Sequence, residues 1–183
     1  MNKVTVVFIA LDAGDKYYKQ YYKKLKNFGF NLVLVNLKWN YKNINDWIEQ
    51  SIAILNSIQE PYIIVGHSVG ASISLMLQNK LKHLPIRMIL YSPSPIFNEF
   101  IKNFDKEGLQ FFGKRRIKQI EENHIRVFLK NNTIPLEVRY GSLEHPYVKV
   151  TVRTIKKFHK DATINEYKNT DHMSSIYASN KLP

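Results

Sequence analysis

Two kinds of hydrophobic pattern alternate along the chain. Some stretches are continuously apolar and rich in β-branched residues, which is typical of strands buried on both faces of a parallel sheet. In other stretches the apolar residues recur every three or four positions, which is typical of a helix with one buried face. The continuous stretches predict strands over residues 4–11, 31–37, 61–66, 86–91, 135–140 and 162–167. The helical spacing predicts helices over residues 15–28, 43–58, 69–81 and 147–159.

The alternation of strand and helix determines the predicted architecture. Parallel strands need a crossover between them, and a helix in that crossover covers one face of the sheet. We therefore predict an α/β fold, a three-layer α/β/α sandwich around a mainly parallel sheet. The stretch VKVTV at 148–152 locally favours a strand, but its place in the alternation favours a helix. The chain shows no repeat, linker or low-complexity segment, so we assign residues 1–183 to a single domain.

Residues 96–130 interrupt the alternation. Their pattern is helical, but they carry more large apolar residues than one helix face needs. These residues are Phe97, Phe100, Ile101, Phe104, Leu109, Phe111 and Phe112. Two interpretations stay open: a pair of packed surface helices, or a helical lid inserted at 96–130 that lines a substrate pocket.

Composition narrows the classes of protein to consider. The chain has 44% hydrophobic residues, as globular proteins do. It has no cysteine, which excludes disulfides, thiolate metal sites and a cysteine nucleophile, and which fits a reducing, cytoplasmic location. The apolar run at 4–11 is too short to cross a bilayer, and Asp12 and Asp15 stand where a signal peptide would carry small residues. We therefore interpret this run as the first strand and expect no transmembrane segment.

The net charge is +12, from 27 Lys and Arg against 15 Asp and Glu. Such a charge attracts nucleic acid, anionic membranes or acidic partners. The basic residues are spread along the chain, however, with one mild cluster at Lys114, Arg115, Arg116 and Lys118. Abundant Lys, Asn and Ile are also what A/T-rich codons produce. Because no nucleic-acid motif accompanies the charge, we expect no nucleic-acid partner.

The clearest chemical motif lies where the third predicted strand ends. Residues 62–74 read YIIVGHSVGASIS, so Ser68 stands between Gly66 and Gly70 at a strand-to-helix junction. A serine on such a sharp turn can act as a nucleophile, because flanking glycines let the strand and the helix pass close to it. At a helix N-terminus, the N–H of Val69 and the helix dipole can also stabilise a developing oxyanion. The alternative is a serine that happens to lie between two glycines.

A nucleophilic serine needs a base, and the predicted sheet indicates where that base should lie. The functional groups of a doubly wound sheet gather beyond the carboxyl ends of its strands. Of the 6 histidines, His172 follows the last predicted strand and is the favoured base. His67 lies within the turn itself and is expected to point elsewhere, and His145 shares a loop with an acid. The others fall on or near predicted helices: His83, His124 and His159.

A carboxylate should hold the base in the correct tautomer and stabilise its protonated form. Glu144 follows the fifth predicted strand directly and is the favoured acid. Glu99 and Asp105 come after the fourth predicted strand and remain rivals. Asp171 adjoins His172 in the sequence, so we expect its side chain to diverge from the ring.

Three segments together resemble the α/β-hydrolase fold superfamily, with its small esterases, lipases and thioesterases. GHSVGA after YIIV resembles the nucleophile elbow, PLEVRYGSLEHP the strand and acid loop, and INEYKNTDHM the strand and histidine loop. The order serine, acid, histidine is the order of this family. The chain departs from the family in having Glu144 where Asp is usual. Residues 10–14 also read Ala-Leu-Asp-Ala-Gly, where His-Gly-x-Gly is frequent.

The resemblance covers nearly the whole chain and implies a catalytic triad. In that triad Ser68 is the nucleophile, His172 the general base and Glu144 the orienting acid. The resemblance also implies a sheet of about six strands that lacks the first two strands of the family. It implies neither a cofactor nor a metal.

The resemblance further implies an oxyanion hole. One donor is the N–H of Val69, and the second is an N–H in the loop after the first strand. Counting from the end of that strand places the second donor at Leu11 or Asp12.

Two functions from different classes follow from these expectations. The first is a serine hydrolase that cleaves a small-molecule carboxylic ester or thioester through an acyl-enzyme. The aromatic-rich residues 96–112 would favour an apolar acyl or aryl group in its substrate. The second is a non-catalytic binding or scaffold protein that uses its basic surface. The sequence does not predict an oligomeric state.

Overall fold

A parallel sheet forms the centre of the molecule. The computed structural model describes residues 3–14, 16–130, 132–178 and 183. Its strands are β1 Thr5–Leu11, β2 Asn31–Leu37, β3 Tyr62–His67, β4 Met88–Tyr91, β5 Leu136–Gly141 and β6 Thr163–Tyr167. All neighbouring strands pair in parallel, in the order β2-β1-β3-β4-β5-β6. The predicted parallel sheet of six strands is therefore confirmed.

Helices cover both faces of this sheet. They are α1 Lys19–Asn27, α2 Ile44–Leu55, α3 Val69–Leu77, α4 Asn98–Ile101, α5 Lys106–Glu122, α6 Ile125–Lys130, α7 Pro146–Phe158 and α8 Ser175–Ala178. Val6 and Phe8 of β1 belong to one apolar cluster, whereas Val7 and Ile9 belong to another. Because successive strand residues point to opposite faces, β1 needs helices on both sides, and the three-layer sandwich follows. Within the described ranges, every helix falls short of the length and apolar character that a membrane crossing requires.

The order of the strands positions the candidate site. The chain adds β2 on one side of β1 and then places β3 on the other side. Open α/β sheets bind ligands at such a switch point, beyond the carboxyl ends of the strands. The loop after β1 and the turn after β3 both lie at this edge, so they bring residues 10–14 close to Ser68.

Several element boundaries differ from the sequence expectation by a few residues. The helix expected over 69–81 ends as α3 at Leu77 and continues as the 3₁₀ turn Gln78–Lys80. The helix expected over 15–28 begins as the 3₁₀ turn Lys16–Tyr18, and Asp15 lies outside the described residues. The VKVTV stretch lies within α7, as predicted, because Val148 and Val152 occupy the buried face of that helix.

The segment 96–130 forms α4, α5 and α6. Gly113 interrupts α5 with a φ of 73° and a ψ of 158°, which kinks the helix. After the kink, α5 is bonded to the loop before α2 and to the start of α2: Arg116 Nε donates to Lys42 O at 3.0 Å, and Gln119 Oε1 accepts from Ile44 N at 2.9 Å. Before the kink, α5 contributes to the walls of the candidate site.

Candidate active site

Ser68 lies on a strained turn between β3 and α3. Its φ of 54° and ψ of −120° fall in a region that residues with a side chain rarely adopt. The N–H of Ser68 donates to Tyr91 O at 2.9 Å, and α3 begins at the next residue. The turn therefore holds the half-buried Ser68 side chain at the carboxyl edge of the sheet.

Gly66 and Gly70 are required by close approaches of the backbone. A Cβ at Gly70 would lie 2.0 Å from Ile9 O, and a Cβ at Gly66 would lie 2.5 Å from Ala71 Cα. Both distances are far shorter than van der Waals contact. The strand and the helix therefore pass each other as closely as the Gly-x-Ser-x-Gly spacing predicts.

The predicted oxyanion donors differ in their surroundings. Val69 is the first residue of α3, where the N–H groups have no carbonyl partner within the helix. The N–H of Asp12, by contrast, already donates to Leu37 O at 2.9 Å. Successive residues of a parallel strand direct their N–H groups to opposite neighbours, so the N–H of Leu11 is directed toward β3. Of the two positions expected for the second donor, Leu11 is therefore the one whose N–H is not directed toward β2.

The Asp12 carboxylate also turns away from Ser68. Its Oδ1 lies 2.9 Å from Lys38 Nζ, and the Asp12 side chain is 59% exposed. The negative charge of this loop is therefore held in solvent, beside a cation.

His172 and Glu144 form a hydrogen-bonded pair. His172 Nδ1 lies 3.0 Å from Glu144 Oε1 and 3.1 Å from Oε2. A carboxylate only accepts, so Nδ1 carries the hydrogen and Nε2 keeps its lone pair while the ring is neutral. The Glu144 side chain is 1% exposed and the His172 side chain 39% exposed. The pair thus presents a proton acceptor to the cavity and shields the carboxylate that orients it.

The environment of Glu144 favours its ionised form. Burial raises the pKa of Glu144, but a hydrogen bond and the charge of His172 lower it, as does a hydrogen bond with Ser92. Together, the contributions that lower the pKa outweigh the effect of burial, so the pKa of Glu144 lies below its usual value. The buried carboxylate can therefore stabilise a protonated His172.

The loops that carry Glu144 and His172 are bonded to each other. The N–H of Leu143 donates to Thr170 O at 2.9 Å. A Cβ at Gly141 would lie 2.1 Å from the same carbonyl oxygen, so only glycine permits this approach. The end of β5 thus brings the acid loop against the histidine loop, although the two residues are 28 positions apart.

The other acids considered for this role make different bonds. Asp105 caps the start of α5, and Glu99 accepts the N–H at the start of α6 at 3.1 Å. Asp171 accepts from the backbone that follows His172, so its side chain diverges from the ring as expected. Glu144 is the carboxylate that the structure brings to His172.

Ser68 and His172 line the same cavity, which has a volume of about 410 Å³. Its walls are mostly apolar and consist of Ser68, Ser94, Pro95, Phe104, Gly108, Phe112, Leu143, Glu144, His145, Tyr147, Val148, Asp171 and His172. Ser68 Oγ lies 3.1 Å from Ser94 Oγ and, among the described residues, is hydrogen-bonded to Ser94 rather than to His172. A second cavity of about 420 Å³ lies at the opposite end of β5 and β6, remote from Ser68.

Two serines after β4 belong to the site, although no sequence motif pointed to them. Ser94 contacts Ser68, and the fully buried Ser92 contributes to lowering the pKa of Glu144. Both follow a strand at its carboxyl end, so the rule that selected His172 and Glu144 could have found them. For metals, the described part of the chain contains no group of three or more His, Asp or Glu residues able to hold an ion.

Comparison with protein-family models gives no match, and comparison with curated protein sequences gives none either. Solved structures do match. An alpha/beta hydrolase enzyme from a metagenome of lagoon sediments at Mar Chica, Morocco, has a TM-score of 0.73 and 11% identity, over 96% of this chain and 85% of that chain. Est1E from Butyrivibrio proteoclasticus with ferulic acid bound has a TM-score of 0.77 and 12% identity, over 93% and 81%.

A monoacylglycerol lipase from Paleococcus ferrophilus has a TM-score of 0.68 and 13% identity, over 92% of this chain and 85% of that chain. Identities this low show the fold and leave the activity open. The sheet order, the turn at Ser68 and these matches agree with the resemblance found in the sequence. The chain therefore has the α/β-hydrolase fold.

Proposed function

We propose that the protein is a serine hydrolase that cleaves a carboxylic ester or thioester through an acyl-enzyme. One observation carries the proposal: the hydrogen-bonded pair of His172 and Glu144 lines the same cavity as Ser68. A nucleophile, a base with a free Nε2 and a buried carboxylate are the groups that acyl transfer needs. The structures that this chain resembles include a lipase by name, which supports the same class.

In the first half of the proposed reaction, Ser68 attacks the carbonyl carbon of the substrate. The Ser68 side chain first turns from Ser94 toward His172, and Nε2 of His172 takes the hydroxyl proton as the new C–O bond forms. The carbonyl oxygen becomes an oxyanion, which the N–H groups of Val69 and Leu11 stabilise. When the intermediate collapses, the bond to the alcohol or thiol breaks, and the leaving group takes the proton from His172.

Water completes the cycle. His172 removes a proton from water as the water oxygen attacks the acyl carbon. Collapse of the second intermediate breaks the bond to Ser68 Oγ, which recovers the proton. Glu144 stays ionised throughout, because its role is to stabilise the protonated ring and to hold its Nδ1–H.

The cavity indicates the class of acyl group. Phe104 and Phe112 stack with ring centroids 5.2 Å apart at an angle of 14°, and both line the cavity beside Ser68. Binding of an acyl or aryl group against an apolar wall of this kind is favourable, because it removes apolar surface from water. We therefore include in the proposal that residues 96–130 act as a lid, and that the substrate carries an apolar acyl or aryl group.

The test is covalent labelling of the pure protein with a fluorophosphonate probe. Ser68 Oγ attacks the phosphorus and fluoride leaves, so wild type is expected to gain the label and Ser68→Ala is not. Ser94→Ala is the matched control, because it removes the neighbouring hydroxyl and should keep the label. The proposal is wrong if wild type is not labelled, or if Ser68→Ala is labelled as fast as wild type.

A second candidate function is a non-catalytic binding or scaffold protein that uses its basic surface, and for either function we propose a cytoplasmic location. The bond between the Asp12 N–H and Leu37 O is the observation on its side, because it leaves Leu11 as the one position of the two that could supply the second oxyanion donor. The labelling experiment separates the two, since a binding protein has no activated serine to modify.

A further inference from the structure

His67 is a fully buried polar residue directly before Ser68, and the proposed reaction does not use it. Its side chain is held at both ring nitrogens. Nδ1 lies 2.8 Å from the hydroxyl of Tyr18, and Nε2 lies 3.0 Å from the backbone oxygen of His172. His67 is only 1% exposed, so these two partners account for its hydrogen-bonding capacity without water.

The partners determine the tautomer of His67. The backbone oxygen of His172 can only accept, so Nε2 must carry the hydrogen. Nδ1 then has a lone pair, and the Tyr18 hydroxyl donates to it. The opposite tautomer would place the lone pair of Nε2 against the carbonyl oxygen of His172, which is repulsive.

The backbone oxygen of His172 has one further donor, the hydroxyl of Ser175 at 3.0 Å. That hydroxyl also lies 3.1 Å from Ser92 Oγ, and either oxygen can donate in that contact. The carbonyl oxygen of His172 has two lone pairs and can accept from both Ser175 and His67. Ser175 lies only three residues after His172, whereas His67, whose ring is also held by Tyr18, donates from the strand that precedes Ser68.

His67 also contacts the ring of His172. The two ring centroids are 4.9 Å apart at an angle of 47°. Burial lowers the pKa of His67 to about 4, and the nearby charge of His172 lowers it as well. His67 thus stays neutral near pH 7 and adds no positive charge beside a ring that must be protonated during the reaction.

We propose that His67 is a positioning residue that fixes the backbone of His172, and that Tyr18 holds His67 in the tautomer required for this. The inference rests on the proposed acyl-transfer function. It links the strand that carries the nucleophile directly to the loop that carries the base. Two intervening strands, β4 and β5, separate β3 from the strand that precedes His172.

The kinetic test compares His67→Ala with His67→Gln on a p-nitrophenyl ester. Loss of the donor frees the backbone of His172, so His67→Ala is expected to lower kcat about 10- to 100-fold while KM changes less than about twofold. Gln retains an N–H donor near the position of Nε2 and is expected to recover most of kcat. A kcat of His67→Ala within about twofold of wild type, or a Gln variant as slow as the Ala variant, overturns the proposal.

Tyr18→Phe tests the tautomer and serves where His67→Ala does not fold. It keeps the ring, which packs on Phe8 with centroids 5.0 Å apart, and removes only the hydroxyl. We expect kcat to fall several-fold at unchanged KM. Tyr21→Phe is the matched control, because Tyr21 lies three residues further on, in α1, and packs on the same Phe8 with centroids 5.7 Å apart, whereas the bond to His67 comes from Tyr18. Equal effects of the two variants contradict the role of Tyr18.

Proton NMR separates this inference from the proposed function. The Nδ1 proton of His172, bonded to Glu144, is expected to give a far-downfield resonance that does not depend on turnover. That resonance should broaden or disappear in His67→Ala and persist in His67→Gln. If wild type is not labelled by the probe but the resonance responds in this way, the positioning role of His67 is supported and the proposed hydrolase function is wrong. If labelling succeeds and the resonance persists in His67→Ala, the positioning role fails alone.

Discussion

Burial and pairing with His172 have opposite effects on the pKa of Glu144. Its carboxylate has left water, which penalises the charge, yet its pKa is lowered because His172 and Ser92 replace the lost hydration. Buried charges persist in proteins only when such partners are present. Replacing this carboxylate should therefore change both the tautomer and the stability of the protonated form of His172.

We expect Glu144→Gln to lower kcat by roughly 10²- to 10⁴-fold and to leave the fold intact. The amide can place its own N–H toward Nδ1, which would favour the wrong tautomer. Asp105→Asn is the control: it makes the same chemical change at the cap of α5, where Asn also caps well, so kcat should stay near wild type. Ester turnover checks both variants, and the reverse result would move the acid role to Asp105.

The sequence predicted the loops of Ser68, Glu144 and His172 because each follows a strand, and strand ends of a parallel sheet meet at one edge. It could not decide between Leu11 and Asp12. That choice depends on the direction of a single N–H, which the pairing of β1 with β2 determines. It also could not orient His67, because its partners Tyr18 and His172 lie 49 and 105 positions away.

At the scale of elements, the strands were predicted well because their runs are continuously apolar and buried on both faces. The ends of the helices were predicted less closely, because local hydrogen bonds determine the residue at which a helix begins or ends. The short α8 has four residues, and its hydrophobic period is too brief to recognise. The VKVTV stretch was predicted correctly against its local preference for strand. Val148 and Val152 lie on the buried face of α7, and their packing outweighs that preference.

Two adjacent phenylalanines of α5 test the proposed lid. Phe112 is 8% exposed and lines the cavity, whereas Phe111 is 62% exposed and packs on Trp39 at 4.7 Å. We expect Phe112→Leu to enlarge the acyl pocket and to raise the ratio of kcat/KM for p-nitrophenyl octanoate over butyrate about 3- to 10-fold. Phe111→Leu makes the same change outside the cavity and should leave the ratio unchanged. A common response of both variants would contradict a role for this segment in selecting the acyl group.

At the scale of the whole molecule, the net charge of +12 is the feature that the fold does not explain. A charge spread over the surface adds little to any single contact, since exposed charges are well hydrated and screened. It does create a long-range field that accelerates the encounter with anionic ligands. This field distinguishes the two substrate classes of the proposal, because an acyl-CoA thioester carries phosphates and a p-nitrophenyl ester is neutral.

We expect kcat/KM for an acyl-CoA thioester to fall several-fold as NaCl rises from about 0.01 M to about 1 M, because the Debye length shrinks from about 30 Å to about 3 Å. The p-nitrophenyl ester of the same acyl group is the control, since salt then acts only on hydrophobic burial and should change kcat/KM little. Steady-state rates at both salt concentrations check the prediction. If kcat/KM fell equally for both substrates, the charge would not steer the substrate. If kcat/KM fell for the thioester alone, the basic composition would be tied to an anionic leaving group, and thioester cleavage would be favoured.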